Sequence, residues 1–161
     1  MHNEKKIHIV LWQPKIPQNT GNIIRLCANT GAELHLIHPL GFNLKSSKLK
    51  RASLDYSDLT IVREHGSFLE YTDSFPKRRL LGTTSSSNNI YSSIKYTQND
   101  SLIFGSEDTG LPDEILSFLT VEKLLRIPMR ANNRSLNLSN AVSIVLYEAW
   151  KQSNFNGSKS T

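Results

Sequence analysis

Cysteine is nearly absent from this 161-residue chain: Cys27 stands alone, which excludes an intrachain disulfide framework and points to a reducing compartment. Long apolar runs are missing as well. The longest are a handful of residues, far short of the roughly 20 that a membrane-spanning helix requires. The N-terminal stretch MHNEKKIHIVLW carries too short an apolar segment for a secretory signal. Together these absences predict a cytoplasmic protein. Neither G-x-G-x-x-G nor G-x-x-x-x-G-K-S/T occurs, which argues against a conventional dinucleotide or P-loop enzyme. The histidines, His2, His8, His35, His38 and His65, lack metal-ligand spacing. His35 and His38 lie in or beside one strand at odd separation, so their side chains point to opposite faces, and no metal is expected. There is no internal repeat.

What the chain does have is positive charge. A net charge of +5 and a pI near 9.4 favour a polyanionic partner, because phosphate neutralisation supplies most non-specific affinity for nucleic acid. Lys45, Lys48, Lys50 and Arg51 cluster, as do Lys77, Arg78 and Arg79, although such clusters are also what a solvated face looks like. The length suits one domain with a real core, expected over residues 1–152, with a frayed tail, SNFNGSKST, beyond Gln152.

In chain order, Ile7 to Trp12 reads as a buried strand. Pro14 and Pro17 then interrupt regular structure, and Asn19-Thr20-Gly21 turns the chain into a helix from about Gly21 to Thr30, capped by Gly31. Ile23, Leu26, Cys27 and Thr30 share its inner face, leaving Asn22, Arg25 and Asn29 on a polar one. Glu33 to Ile37 is a second strand, Leu44 to Arg51 a short basic helix or loop, Leu59 to Arg63 a third strand, and Ser67 to Thr72 a short helix. Leu80 to Thr84 is a fourth strand, and the Ser/Asn-rich stretch Thr83 to Ser93 reads as a mobile loop. A strand at Ser101 to Phe104, a loop from Gly105 to Gly110 and a helix from Pro112 follow.

The apolar segment Leu124 to Met129 then meets a glycine-free polar loop, Arg130 to Ser135, before a long helix. In that helix Ala141, Val142, Val145, Leu146, Ala149 and Trp150 form one buried stripe. Alternating strands and helices imply α/β with a mostly parallel sheet flanked by helices. Strand ends leading to polar helix starts are where such folds build ligand sites, although an ordinary strand–loop–helix unit has the same spacing.

Three stretches go further. PQNTGNIIRLCANTG (Pro17 to Gly31), LIFGSEDTGLP (Leu102 to Pro112) and IPM…NRSLNLSNAVSIVLYEAW (Ile127 to Trp150) resemble, in order, the three signature motifs of the SpoU branch of the knotted (SPOUT) RNA methyltransferases. The similarity runs over nearly the whole chain, and within the branch it points to the short enzymes acting on the tRNA wobble nucleotide. The resemblance implies a deep C-terminal trefoil knot and a homodimer, neither of which periodicity or composition indicates; knots are almost absent from proteins. It also implies S-adenosylmethionine as cofactor, held by Gly82, Thr83, Gly105, Ile127, Ser135 and Leu136. The partner it implies is tRNA, bound through its anticodon region, with transfer of a methyl to the ribose of cytidine or uridine 34.

By the same motif positions Arg25 is the leading catalytic residue. Its guanidinium stays protonated, so an electrostatic role on the attacking 2'-oxygen suits it better than that of a base. Glu107, Asn137 and Tyr147 complete the catalytic candidates, with dimer packing as a second role for Tyr147. Asn19, Lys50, Arg51 and Arg134 are substrate-binding candidates. Two departures stand out in the second motif: Ser106 replaces the usual proline and Thr109 the usual arginine. Rival readings are a ribosomal-RNA ribose methyltransferase, whose relatives often carry an added RNA-binding domain not seen here, a guanine-base methyltransferase, and a catalytically silent RNA-binding module.

Overall fold

The computed structural model describes residues 5–53 and 60–159. Strands β1 (His8–Trp12), β2 (Glu33–Ile37), β3 (Val62–His65), β4 (Arg79–Thr83), β5 (Asp100–Phe104) and β6 (Leu124–Leu125) form one sheet in the order β3-β2-β1-β5-β4-β6. Every pairing is parallel. Helices α1 (Pro17–Thr30), α2 (Ser47–Ser53), α3 (Phe68–Ser74), α4 (Asp113–Phe118) and α5 (Leu138–Gln152) connect and cover it. All strand carboxyl ends therefore share one edge, and the strand order reverses between β1 and β5, beside which α/β folds place their ligands.

Strand alternation divides the core. Ile9, Leu11, Leu34, Leu36, Leu102 and Phe104 face α1 and α5, meeting Ile23, Cys27, Val142, Val145 and Ala149. Val10, Ile37 and Ile103 face the other way, toward Tyr71 of α3 and Ile115 of α4. Burial also pushes the Cys27 thiol pKa far up, so this residue is a small core side chain.

The parallel register produces a feature that linear spacing hides. His8 pairs with Glu33, His35 with Val10 and His65 with Ile37, so three histidines form a diagonal row on one face. His8 stacks on His35 at 4.1 Å, beneath Tyr71 and Phe75. His8 Nδ1 bonds the Tyr71 hydroxyl at 3.0 Å and His35 Nδ1 bonds His65 Nε2 at 2.9 Å. Burial first, then the charges of Arg78 and Arg63, pushes His8 down to about 3. Burial and the neighbouring rings push His35 down to about 2. Ligand atoms of His8, Glu33 and His35 lie within 4.8 Å of one another, with the Nε2 atoms of both rings 3.7 Å from the Glu33 carboxylate.

Several boundaries differ from the sequence-based expectation. Helix α1 starts at Pro17, a turn ahead of Gly21, because proline at the first helical position gives up no needed donor. Asn19 and Thr20 are thus inside the helix. Strand β3 is Val62–His65, and the Leu59 at which the third strand is expected to start lies outside the described residues. The last strand is cut to Leu124–Leu125 with one further bridge, Arg126 to Ile90.

That bridge belongs to a correction about residues 83–93, which are pinned rather than loose. Ser87 Oγ donates to the Leu124 carbonyl at 2.7 Å, Asn89 Nδ2 to the same carbonyl at 3.2 Å, and Arg126 N to the Asn89 carbonyl at 2.7 Å. Beyond Gln152 the chain curls back, with Trp150 Nε1 donating to the Asn156 carbonyl and the Trp150 ring packed edge-on to Phe155.

Candidate active site

A cavity of about 420 Å3 opens at the carboxyl ends of β4, β5 and β6. That volume falls in the range of small-molecule sites. Thr83 and Thr84 leave β4, the 105–110 loop leaves β5, and Ile127 and Met129 follow β6; Ser135, Leu136, Leu138 and Ala141 close it from the start of α5. The wall is apolar where Phe104, Leu116, Ile127 and Leu138 meet, and polar where backbone and hydroxyls of Thr83, Ser106 and Ser135 line it. A flat apolar ring with a hydrogen-bonding edge fits such a wall.

Gly105 is required by this geometry. A Cβ there would sit 2.0 Å from the carbonyl carbon of Gly110 and 2.1 Å from the nitrogen of Leu111. The loop folds tightly back, with Gly110 N donating to the Ser106 carbonyl at 2.9 Å and Gly110 at a φ of 68°. Gly82 differs. It is not among the cavity-lining residues, and a Cβ there would meet Leu119 Cδ1 at 2.6 Å, so its smallness serves packing of α4 on the sheet.

One polar chain joins the cavity to α1. Asn137 Oδ1 accepts from Ser139 N at 2.9 Å and caps α5, while its Nδ2 donates to Asn19 Oδ1 at 2.9 Å. Asn19 Nδ2 donates in turn to Glu107 Oε1 at 3.3 Å. The Glu107 carboxylate also accepts from Lys15 N at 2.7 Å and Ile16 N at 3.0 Å, amides just ahead of α1. Glu107 is thereby a tether between the cavity loop and the helix, a role its motif position alone does not reveal.

Of the residues singled out from sequence, Thr83, Gly105, Glu107, Ile127, Ser135 and Leu136 line the cavity, and Asn19 and Asn137 join it through hydrogen bonds. Arg25 is half-buried on α1, about 9 Å along the helix axis from Asn19 by the 1.5 Å rise per residue, and does not line the cavity. Tyr147 is also outside it, exposed on α5 with its ring edge-on to Trp150. Lys50 and Arg51 are exposed in the last turn of α2, which packs on α1 where Gly21 meets Ala52. Arg134 is exposed in the loop ahead of α5. Sequence reasoning misses Lys15 and Asp108, whose pairing depends on β1 and β5 being neighbours, and Leu116, which reaches the cavity from α4.

A parallel α/β sheet with a small-molecule-sized cavity over its carboxyl edge defines the class of α/β ligand-binding folds. The chain belongs to the SpoU rRNA methylase family, whose sequence model matches residues 6–147. It is 48% identical over 156 residues to the tRNA (cytidine(34)-2'-O)-methyltransferase of Yersinia pestis, covering 94% of this chain and 96% of that one. A solved structure described as giving insights into the 2-OH methylation of C/U34 on tRNA superposes with a TM-score of 0.89 at 41% identity, covering 94% and 99%. The AdoMet complex of the SpoU methyltransferase AviRb from Streptomyces viridochromogenes has a TM-score of 0.85 at 25% identity, covering 99% of this chain and 61% of that one.

Proposed function

We propose that this protein is an S-adenosylmethionine-dependent methyltransferase acting on the ribose 2'-hydroxyl of the tRNA wobble nucleotide, cytidine or uridine 34. The observation that carries it is the hydrogen-bonded chain Asn137–Asn19–Glu107, which ties a cofactor-sized cavity to the helix bearing Arg25. The relatives named for this reaction supply the substrate.

The residues present suit the cofactor. The tight turn at Gly105 leaves backbone free to approach a ligand, and the apolar wall accepts an adenine. When bound, S-adenosylmethionine supplies a methyl on a cationic sulfur, which needs little further activation. The chain's own task is the nucleophile, since a ribose hydroxyl is a weak acid. Arg25 places positive charge where the 2'-oxygen becomes negative, a role suited to a group that stays protonated. Asn19 and Asn137 join the starts of α1 and α5, and Glu107 holds the cavity loop to α1. With Glu107 engaged by two backbone amides, the proton goes to another acceptor, a phosphate of the substrate RNA or another side chain.

Lys50, Arg51 and Arg134 are exposed cations suited to RNA phosphates. The same reading includes a cytoplasmic homodimer with a trefoil-threaded C-terminal segment. Support comes from the family to which the chain belongs and, for the dimer, from the exposed apolar side chains Ile16, Leu136 and Tyr147. Among the described residues no helix is long and apolar enough to cross a membrane.

Incubation with labelled S-adenosylmethionine and tRNA, followed by nuclease mapping and mass spectrometry, tests the proposal. Label on the ribose of nucleotide 34 is expected. Label on a base, or only on ribosomal RNA, overturns the substrate, and RNA binding without any label favours the silent module.

A further inference from the structure

The loop that walls the cavity is fastened to the start of α1 by more than Glu107. Lys15 Nζ donates to Asp108 Oδ2 at 2.6 Å, and Ser106 Oγ donates to Asp108 Oδ1 at 3.0 Å. Residues 105–110 and 15–16 are therefore joined twice, once through the Glu107 carboxylate on backbone amides and once through the Asp108 carboxylate on a side chain. The Lys15 segment is itself braced from behind. A Cβ on Gly41 would lie 2.6 Å from Lys15 Cα, and Gly41 N donates to the Pro14 carbonyl at 2.9 Å. Gln13, at a φ of 48°, turns the chain off β1 and donates its N–H to the Ile37 carbonyl at 3.0 Å. The Lys15 backbone is thus held in place while its side chain stays half-exposed, and the hydrogen bonds from Lys15 and Ser106 hold the Asp108 carboxyl below the usual carboxylate range. Ser106 occupies the position where the family motif usually has a proline. A residue that stiffens the loop through its ring is here replaced by one that stiffens it through a hydrogen bond.

We propose that Asp108, with Lys15 and Ser106, is a positioning clamp that fixes the cavity loop against the start of α1, so that filling the cavity also sets the helix end that meets the RNA. The cofactor half of this inference rests on the cavity geometry; the RNA half rests on the function proposed above. Asp108 touches no reacting atom in this scheme. Although Asp108 lines the cavity, it acts through the loop backbone that walls the cavity and through Lys15, which precedes the helix carrying Asn19 and Arg25. A loop left unpinned must be ordered by the ligand itself, and that ordering is subtracted from ligand affinity.

The test uses the full chain and S-adenosylhomocysteine, the demethylated cofactor, which binds without turnover. Calorimetry of Asp108→Asn and Lys15→Met is expected to show roughly threefold weaker binding, the scale of a solvent-exposed ion pair. The exchange Lys15→Asp with Asp108→Lys is expected to return affinity to within about twofold of the native protein, since the pair is restored with its sign reversed. Native tRNA binding is expected to tighten when S-adenosylhomocysteine is present, and Asp108→Asn to lose that tightening while binding tRNA normally without it. Unchanged cofactor affinity in Asp108→Asn, or no recovery in a reversed pair with native circular dichroism, overturns the clamp. Equal tRNA affinity with and without cofactor in the native protein overturns the coupling. Absence of any tRNA binding or methylation by the native protein overturns the proposed function instead, and the calorimetric arm still decides the clamp because it contains no RNA.

Discussion

Gly105 and Gly82 are both glycines at strand ends, and the family resemblance assigns both to the cofactor, yet their surroundings differ. A methyl group on Gly105 collides with backbone of Gly110 and Leu111, which cannot rotate away, so the 105–110 loop has to open. Gly105→Ala is expected to abolish S-adenosylmethionine binding in calorimetry. A methyl on Gly82 meets the tip of Leu119, which can shift. Gly82→Ala is expected to cost about 1–2 kcal/mol by urea unfolding, as overpacked cores do, with cofactor affinity kept; loss of that affinity would return Gly82 to the cofactor site. Arg25→Ala is expected to remove turnover while leaving cofactor binding nearly intact, and normal methylation by this variant would exclude Arg25 from the mechanism. The buried histidines set the acid limit of the fold. His8 and His35 are neutral when folded, with pKa values of about 3 and about 2 against 6.5 when exposed. The unfolded chain therefore binds more protons than the native one between pH 6.5 and about 3. Stability is full above 6.5 and falls as the pH drops through that window, because the unfolded chain takes up protons there that the buried rings do not. His35→Gln is expected to make urea midpoints measured from pH 7 to pH 4 markedly less pH-dependent.

Helix α5 illustrates how one element serves two ends. Its buried stripe of Val142, Val145, Leu146 and Ala149 is legible as a 3.6-residue period and holds it on the sheet. Its N-cap, Asn137, is legible as a residue type but not as a link to Asn19, 118 positions away. The two functions of Asn137 can be separated. Asn137→Asp keeps the cap, because the carboxylate accepts from Ser139 N as well as the amide does, and turns a donor toward Asn19 into an acceptor. Its unfolding temperature is expected to stay at or above the native value while turnover falls at least tenfold, by the scale of a lost hydrogen bond to an orienting group. Asn137→Ala is expected to lose both, with about 1 kcal/mol of stability from the cap. A fully active Asn137→Asp would confine the residue to capping. Helix α1 shows the opposite limit of local reading: Pro17 opens it and Gly31, at a φ of 78°, ends it. The earlier start matters, because it places Asn19 in the first turn, where it reaches Glu107.

At the scale of the molecule, the sheet order puts β1 beside β5, and this brings the first and second motifs together. Exposed apolar side chains at Ile16, Met129, Leu136 and Tyr147 surround the cavity and α5. Light scattering is expected to give twice the 18.2 kDa chain mass, and Tyr147→Glu to shift the protein toward the monomer; a monomeric native protein would remove the homodimer from the proposed function.

The sequence by itself determined the element types, the parallel α/β class, the core faces of the helices and the three motifs with their residues, because periods of 2 and 3.6 and local turn chemistry act over a few residues. The tertiary structure alone decided which residues converge. His8, His35 and His65 meet through strand register, Lys15 meets Asp108 across 93 positions, and the Ser/Asn-rich 83–93 stretch is fastened by carbonyls of a strand some 35 residues later. Those partnerships follow from strand order and parallel pairing, which satisfy backbone hydrogen bonds across the sheet and leave no periodic trace along the chain.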